Sequence, residues 1–331
     1  GLVSGTVSAQ RAGDQFTALA ETLLRRLFAA VRTEFEKRHG TIPRAAVALL
    51  GFGKMASREM TMSSDLDFIM IYDVEDPATE SVGERPLSAS QYFARLTQRL
   101  VAAVTAPTSE GVLYNADMRL RPSGNAGPLA TSLRAFGVYQ EESAWTWEHM
   151  ALTRARVIEA DSDFGFKVGG VIADILALPA DRAKIVADVV AMRELMGKER
   201  PPRHPFDLKL VPGGLVDLEF IAQSAQLLAR EDIGLPQAGA ATILARLGEI
   251  GLVPAGARLA EIHGVYSTVL QVMSAALVDP FKDEGWTPAF RDLLAQLTNQ
   301  PSFLRLTEEL VTMQGEVRDA AALWYERARL P

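Results

Sequence analysis

The chain has no cysteine in 331 residues and only 4 histidines. Without thiols it can form no disulfide and offers no thiolate to a metal, which fits a reducing compartment and leads to the expectation of a cytoplasmic protein. His39, His149, His204 and His263 are too scattered along the chain to suggest a shared metal site. No apolar run approaches the length of a bilayer span, and the first residues lack the charged and apolar regions of a signal peptide, so no membrane association is expected. Basic excess is missing too: 34 Lys+Arg stand against 41 Asp+Glu, a formal net charge of −7. Nucleic-acid binders carry a basic footprint, so no nucleic-acid partner is expected. The full P-loop and Rossmann glycine patterns are also absent, and there is no internal repeat.

What remains is ordinary in bulk and distinctive in one place. A composition of 48% hydrophobic and 23% charged residues is that of a globular protein with room for two or three domains. The distinctive stretch is Leu49 to Tyr72, LLGFGKMASREMTMSSDLDFIMIY, in which an apolar run passes through Gly51 and Gly53 into a polar segment. A second apolar run then opens with Asp65 and Asp67. Side chains alternate along a strand, so acids at i and i+2 share a face and can point at one spot. At the lip of a buried sheet such a pair raises its own proton affinity unless a cation sits beside it. A hard divalent ion such as magnesium, which takes one or two carboxylates plus phosphate oxygens and water, removes that cost. The plainer reading is two solvated aspartates at a strand edge.

The surroundings bear on that choice. A strand, a glycine turn and a helix-compatible segment place backbone N–H groups where a phosphate can dock. Gly51 and Gly53 let the backbone approach a ligand that a Cβ would block. Lys54 is a candidate phosphate contact or a solvated lysine, and Ser64 either bonds to a triphosphate or closes the turn. A third acid follows in GVLYNADMRLRP, where Asp117, Arg119 and Arg121 recur at the period of a strand. An acid beside two cations suits a site holding a metal and a polyphosphate; an ordinary surface ion pair is the other reading.

Helical spacing of Phe16, Leu19, Leu23, Leu27, Val31 and Phe35 predicts one long amphipathic helix over 14–38. The continuously apolar 45–50 predicts a strand buried on both sides. A loop over 73–89 and a helix over 90–104 follow. Beyond Leu129 strand signals fade, and helices are expected over 132–140, 145–157, 168–178, 180–196, 215–229, 240–247, 255–277, 287–297 and 302–328. Trp145 and Trp147, in a run with Glu148, His149, Arg154 and Arg156, read either as support for the site or as core anchors with a polar handle. Pro212, Gly213 and Gly214 break the chain before a helix opening with Asp217 and Glu219. Those acids are dipole partners of their helix, or, with Asp207 and Lys209, part of a grip on the catalytic domain or on substrate. The expected fold class is α+β, a small mixed-sheet domain followed by a mainly α-helical bundle. The domains are then 1–44, an N-terminal helix; 45–130, catalytic; and 131–331, helical.

A glycine turn, D-x-D on one strand and a lone acid on a neighbouring strand resemble the nucleotidyltransferase superfamily of the DNA polymerase beta type. Over a longer span the strings GFGKMASREMTMSSDLDFIMIY, DMRLRPSGNAG, YQEESAWTWEHMALTRARVI and FDLKLVPGGLVDLEFIAQ, in that order, resemble the bifunctional glutamine synthetase adenylyltransferase and adenylyl-removing family. With one D-x-D block the chain looks like a single half of such an enzyme. LRPSGNAG and WTWEHMALTRARV are more similar to the C-terminal half, which attaches AMP. The resemblance implies transfer of AMP from ATP to a tyrosine hydroxyl of glutamine synthetase with loss of pyrophosphate. It implies Asp65, Asp67 and Asp117 as catalytic acids holding two Mg2+ ions, with Gly51, Gly53, Lys54, Ser64, Arg119 and Arg121 around the nucleotide. It further implies the PII signalling protein and glutamine as regulators and a role in nitrogen metabolism. Met150 stands where relatives are expected to carry glutamine. Alternatives are the phosphorolytic adenylyl-removing half, a nucleotidyltransferase with another target, and a non-catalytic docking module for glutamine synthetase or PII.

Overall fold

The computed structural model describes residues 1–2, 4–234, 238–282 and 285–329. These residues form two compact units. One comprises Thr17–Arg58 and Ser64–Leu178; the other comprises Gly1–Phe16, Glu59–Ser63 and Pro179–Pro331. Among the described residues no helix is long and apolar enough to cross a membrane.

The first unit is built on a five-stranded mixed sheet. Strand β1 (Ala46–Gly51) lies at its centre, antiparallel to β2 (Leu66–Asp73) on one edge and to β7 (Arg156–Ala160) on the other. The far edge of β2 pairs in parallel first with β5 (Ala116–Asp117) and then with β6 (Ala130–Ser132). Val47 through Leu50 are buried on both faces, as the unbroken apolar run demands. Ala48, Leu50, Ile69 and Ile71 face Phe136 of α4 (Leu133–Glu142) and Phe164, Val168 and Ile172 of α6 (Phe164–Leu176). On the opposite face Met70 and Tyr72 meet α3 (Ala89–Val104), where the Tyr72 ring stacks on Phe93 at 4.4 Å. Phe35 of α1 (Ala9–His39) packs edge-on to Tyr92 of α3 at 5.0 Å. The single-turn α2 (Gly53–Ala56) follows β1, and β3 (Pro107–Thr108) and β4 (Gly111–Val112) make a separate small hairpin before β5.

Two expectations fail here. The segment 145–157 is not one helix: α5 (Thr146–Leu152) stops early, and β7 follows after a turn in which the Thr153 hydroxyl donates to the Met150 carbonyl at 2.7 Å. The reason is tertiary, because the edge of β1 away from β2 presents backbone groups in a buried setting that must be paired. Nor does a strand carry Asp117, Arg119 and Arg121 on one face. Pairing ends at Asp117, and the chain turns, with Arg121 N–H on the Met118 carbonyl and Gly124 N–H on that of Arg121.

The second unit is helical, as its apolar periodicity predicts. It contains α7 (Arg182–Glu199), α8 (Leu215–Leu228), the short α9 (Arg230–Ile233), α10 (Ala240–Glu249), α11 (Gly256–Ala276), α12 (Pro288–Leu297) and α13 (Phe303–Ala328). Leu218, Ile221, Leu244, Ile262, Tyr266, Val269 and Leu306 form its core with almost no exposed surface. Gly213 stands at φ +81°, and a Cβ there would lie 2.0 Å from the Gln314 carbonyl, so the break before α8 requires glycine. The stretch Glu59–Ser63 belongs to this unit as well: Gln271 Nε2 of α11 donates to the Met60 carbonyl at 2.7 Å, and the Ser63 and Ser274 hydroxyls meet at 2.9 Å.

Candidate active site

The two chain segments that carry the acids are brought together by strand register. In the parallel pair β2–β5, Leu66 stands opposite Ala116 and Asp67 opposite Asp117. Leu66 N–H donates to the Asn115 carbonyl at 2.9 Å, which sets this register. Asp65 lies one residue ahead of β2, on the same side of the chain as Asp67 by strand alternation, and its Oδ1 accepts from Asn115 Nδ2 at 3.1 Å. Residues 50 positions apart in the sequence thus meet at the mouth of the sheet, where the apolar strand emerges from its buried part.

The glycine turn is tied to the same strand. Phe52 N–H donates to the Asp67 carbonyl at 2.8 Å, joining the end of β1 to the acid residue itself. Gly53 has φ +53°, and a Cβ built on it would lie 2.3 Å from Asp67 Oδ2. Only glycine therefore permits both this backbone conformation and the approach of the carboxylate. Gly51 is required for a different reason: a Cβ there would come within 2.7 Å of the Ile158 side chain across the β1–β7 pair. Lys54 lies in the α2 turn, and Ser64 directly precedes Asp65.

From the far side, Arg156 of β7 braces this turn. Its guanidinium donates to the carbonyls of Ala56 at 3.2 Å and Met55 at 3.1 Å and pairs with the buried Glu21 of α1. A buried ion pair whose donors also satisfy helix-end carbonyls holds α2 in place. Neither Glu21 nor the bracing role of Arg156 was legible in the sequence, since the partners lie 135 residues apart. Asn115 was missed although it stands only two places before Asp117, in the run Tyr114-Asn115-Ala116-Asp117.

Charge at the site is organised by Arg119. Its Nε lies 3.0 and 2.8 Å from the two Asp117 oxygens, its Nη2 pairs with Oδ2, and its backbone N–H donates to Oδ1 at 2.9 Å. Partial burial pushes the Asp117 carboxyl up, but these hydrogen bonds and the charges of Arg119 and Arg121 outweigh it and hold the group below the ordinary carboxylate value. The hydrogen bond to Asp117 raises the Arg119 guanidinium in turn, and the charges of Asp67 and Asp65 add to the effect, so one cation feels all three acids. Arg121 is placed differently. It is buried, and burial lowers its pKa; its guanidinium is spent on the carbonyls of Met118 at 2.8 Å and Gly127 at 3.4 Å, where it shapes the loop after β5.

The donor set has the chemistry of a hard-cation site: carboxylate oxygens only, from adjacent strand positions, beside a turn that admits close approach. Among the described residues no three acidic or histidine side chains converge as ready-made metal ligands, and both Asp117 oxygens are held by Arg119. The register brings Asp117 opposite Asp67, with the Asp117 side chain turned to Arg119.

Elsewhere the structure assigns ordinary roles to residues that drew attention. Trp145 and Trp147 are exposed rather than core anchors. Glu148 caps α5 through the Trp145 N–H at 2.9 Å and accepts from the Tyr139 hydroxyl. Asp217 pairs with Arg193 and accepts the Gly213 N–H at 2.7 Å, and Asp207 is buried and accepts the Arg203 N–H.

A mixed sheet with a glycine turn after one strand, an acid pair opening the next and a third acid in register beside it has the architecture of a nucleotidyltransferase domain. Residues 2–170 match the family model described as glutamate-ammonia ligase adenylyltransferase, and the chain belongs to that family. It is 47% identical over 320 residues to a protein of Brucella suis biovar 1 (strain 1330) named bifunctional glutamine synthetase adenylyltransferase/adenylyl-removing enzyme. It is 44% identical over 319 residues to a protein of that name from Mesorhizobium japonicum, and 43% identical over 323 residues to one from Xanthobacter autotrophicus. Each alignment takes in 96% of this chain but only 32–33% of the relative, so the chain spans about one third of the length of the curated relatives it matches.

Proposed function

We propose that this chain is the adenylyl-transferring half of a bifunctional enzyme, moving AMP from ATP to a tyrosine hydroxyl of glutamine synthetase with release of pyrophosphate. The observation that carries this reading is the register of Asp67 opposite Asp117 with Asp65 beside them. Asp65, Asp67 and Asp117 would hold two Mg2+ ions. Bound there, such ions supply Lewis-acid stabilisation of the charge that develops on attacking and leaving oxygens.

The chain's own groups do the rest by positioning. Transfer of a phosphoryl-type group asks little covalent chemistry of the protein, so no cysteine or histidine nucleophile is needed. Gly53 clears the space next to Asp67 so that backbone and phosphate can come close, and Arg156 with Glu21 keeps that turn from moving. Lys54, from the turn, and Ser64, from the approach to β2, are the proposed contacts to phosphate oxygens. Arg119 offers an exposed guanidinium that already faces the acids, whereas the Arg121 guanidinium donates to loop carbonyls.

The names of the relatives support glutamine synthetase as the protein substrate and adenylyl transfer as the reaction, for which ATP is the proposed nucleotide. The PII signalling protein and glutamine are proposed as regulators, with the activity serving control of nitrogen assimilation. The LRPSGNAG and WTWEHMALTRARV segments favour the attaching half over the removing one. Two incubations test this: the chain with α-labelled ATP and unmodified glutamine synthetase, and the chain with phosphate and the adenylylated form. Label transfer in the first supports the proposal. Release of ADP in the second alone assigns the chain to the removing half, and activity in neither leaves a docking module.

A further inference from the structure

The Asp117 carboxylate is saturated by a single neighbour. Both its oxygens receive Arg119 Nε, one also receives Nη2, and the other receives the Arg119 backbone N–H. A carboxylate has about four lone-pair positions, so little acceptor capacity is left for anything else. Arg119 itself is not saturated in the same way: its side chain is 62% exposed, while that of Asp117 is 21% exposed. The guanidinium fork that fits a carboxylate fits a phosphate equally well, and a triphosphate brings more charge than one carboxylate. The backbone under this pair is pinned, because Arg121 ties the Met118 carbonyl to the Gly127 carbonyl across the turn. The Arg119 side chain can therefore change partner without the loop moving.

Resting on the reading of this site as a metal and triphosphate centre, we infer that Arg119 is a positioning residue that withholds Asp117 from the divalent ion until a polyphosphate takes the guanidinium. The full set of carboxylates is assembled only when the nucleotide has arrived. Metal and triphosphate affinities are thereby coupled through one arginine. The purpose such coupling serves is to keep a fully charged, hydrolysis-competent metal centre from forming ahead of its substrate.

The test is the affinity of the 331-residue chain for Mn2+ without nucleotide, read from the EPR signal of the free ion. Arg119→Lys keeps the positive charge but loses the fork, since an ammonium contacts the carboxylate at one point and leaves an oxygen available. The expectation is that Arg119→Lys binds Mn2+ about fivefold more tightly than wild type, and that this gain vanishes when Asp117→Asn is also present. A role of Arg119 as a mere local charge predicts no gain for lysine. Wild-type affinity in Arg119→Lys, or a gain that persists in the Asp117→Asn background, overturns the inference. Asp67→Asn serves as the separate control: its failure to weaken Mn2+ binding, or no Mn2+ binding by any variant, overturns the metal reading itself and the inference with it.

Discussion

Each unit of this protein contains an aspartate gripped by the fork of an arginine, and the two pairs do opposite jobs. In the helical unit Arg193 reaches Asp217 through Nε at 2.6 Å and Nη2 at 3.0 Å, with side-chain exposures of 17% and 13%. The pair has further partners there: Asp217 accepts the Gly213 N–H, and Arg193 donates to the Leu210 and Val211 carbonyls. In the sheet unit Arg119 grips Asp117 through the same two nitrogens, Nε and Nη2, but keeps its guanidinium in solvent, facing Asp65 and Asp67 as well. The lesson is that burial and saturation, not the identity of the pair, decide whether an ion pair is a structural clamp or an exchangeable part of a site.

Breaking the acid centre should give the largest effect. Asp67→Asn removes a charge from the proposed metal site without changing shape, and the expected loss of AMP transfer is at least about 10^3-fold, measured with α-labelled ATP, with an unaltered thermal midpoint. Transfer within tenfold of wild type would mean that the acids beside Arg119 do not form the reaction centre. Next comes the closed pair itself. Arg193→Ala strands a buried carboxylate and several carbonyls and should cost about 3 kcal/mol in urea denaturation; a cost under 1 kcal/mol would erase the contrast drawn above.

Gly53→Ala sharpens the comparison from the side of the turn. The added methyl has to displace the Asp67 carboxylate and sits at a φ that alanine tolerates poorly, so about 1–2 kcal/mol of stability should go. Activity should fall about 100-fold, as expected for a misplaced reacting group. Unchanged kinetics would show that the close approach is not used. Smallest of all, Arg119→Ala should alter stability by no more than about 1 kcal/mol, because an exposed pair is screened by water. Asp117 is held below its ordinary value of 3.8, so the stabilisation from this pair is complete above that pH and disappears as pH falls through the depressed value. Carbon-detected NMR of the Asp117 carboxyl should show its titration moving to higher pH in Arg119→Ala, and an unmoved midpoint would refute the cause assigned to the shift.

Much of the architecture could be read from periodicity. The apolar stripes of α10, α11, α12 and α13 announce the helical unit to within a few residues, because burial of one helix face demands that spacing. β1 and β2 were legible for a similar reason. Short elements whose existence depends on a distant edge were not: β7 reads as the tail of a helix, and β5 reads as a longer strand than the pairing supports. The candidate site was legible as residue types, D-x-D, a glycine turn and a later acid. Asn115, Glu21 and the partners of Arg156 were not, since a hydrogen bond between residues far apart leaves no local trace.

The order of residues by itself determined which side chains can serve as hard ligands, where backbone can bend at Gly53 and Gly213, and which segments must bury an apolar face. These follow from side-chain chemistry and from local sterics, which act over a few bonds. Only the tertiary structure decided that Asp117 stands opposite Asp67, that Arg119 faces the acids while Arg121 turns to backbone carbonyls, and that Asp217 is sealed in a clamp. Register and desolvation depend on what the folded chain brings alongside, and electrostatic strength depends on how much water remains there.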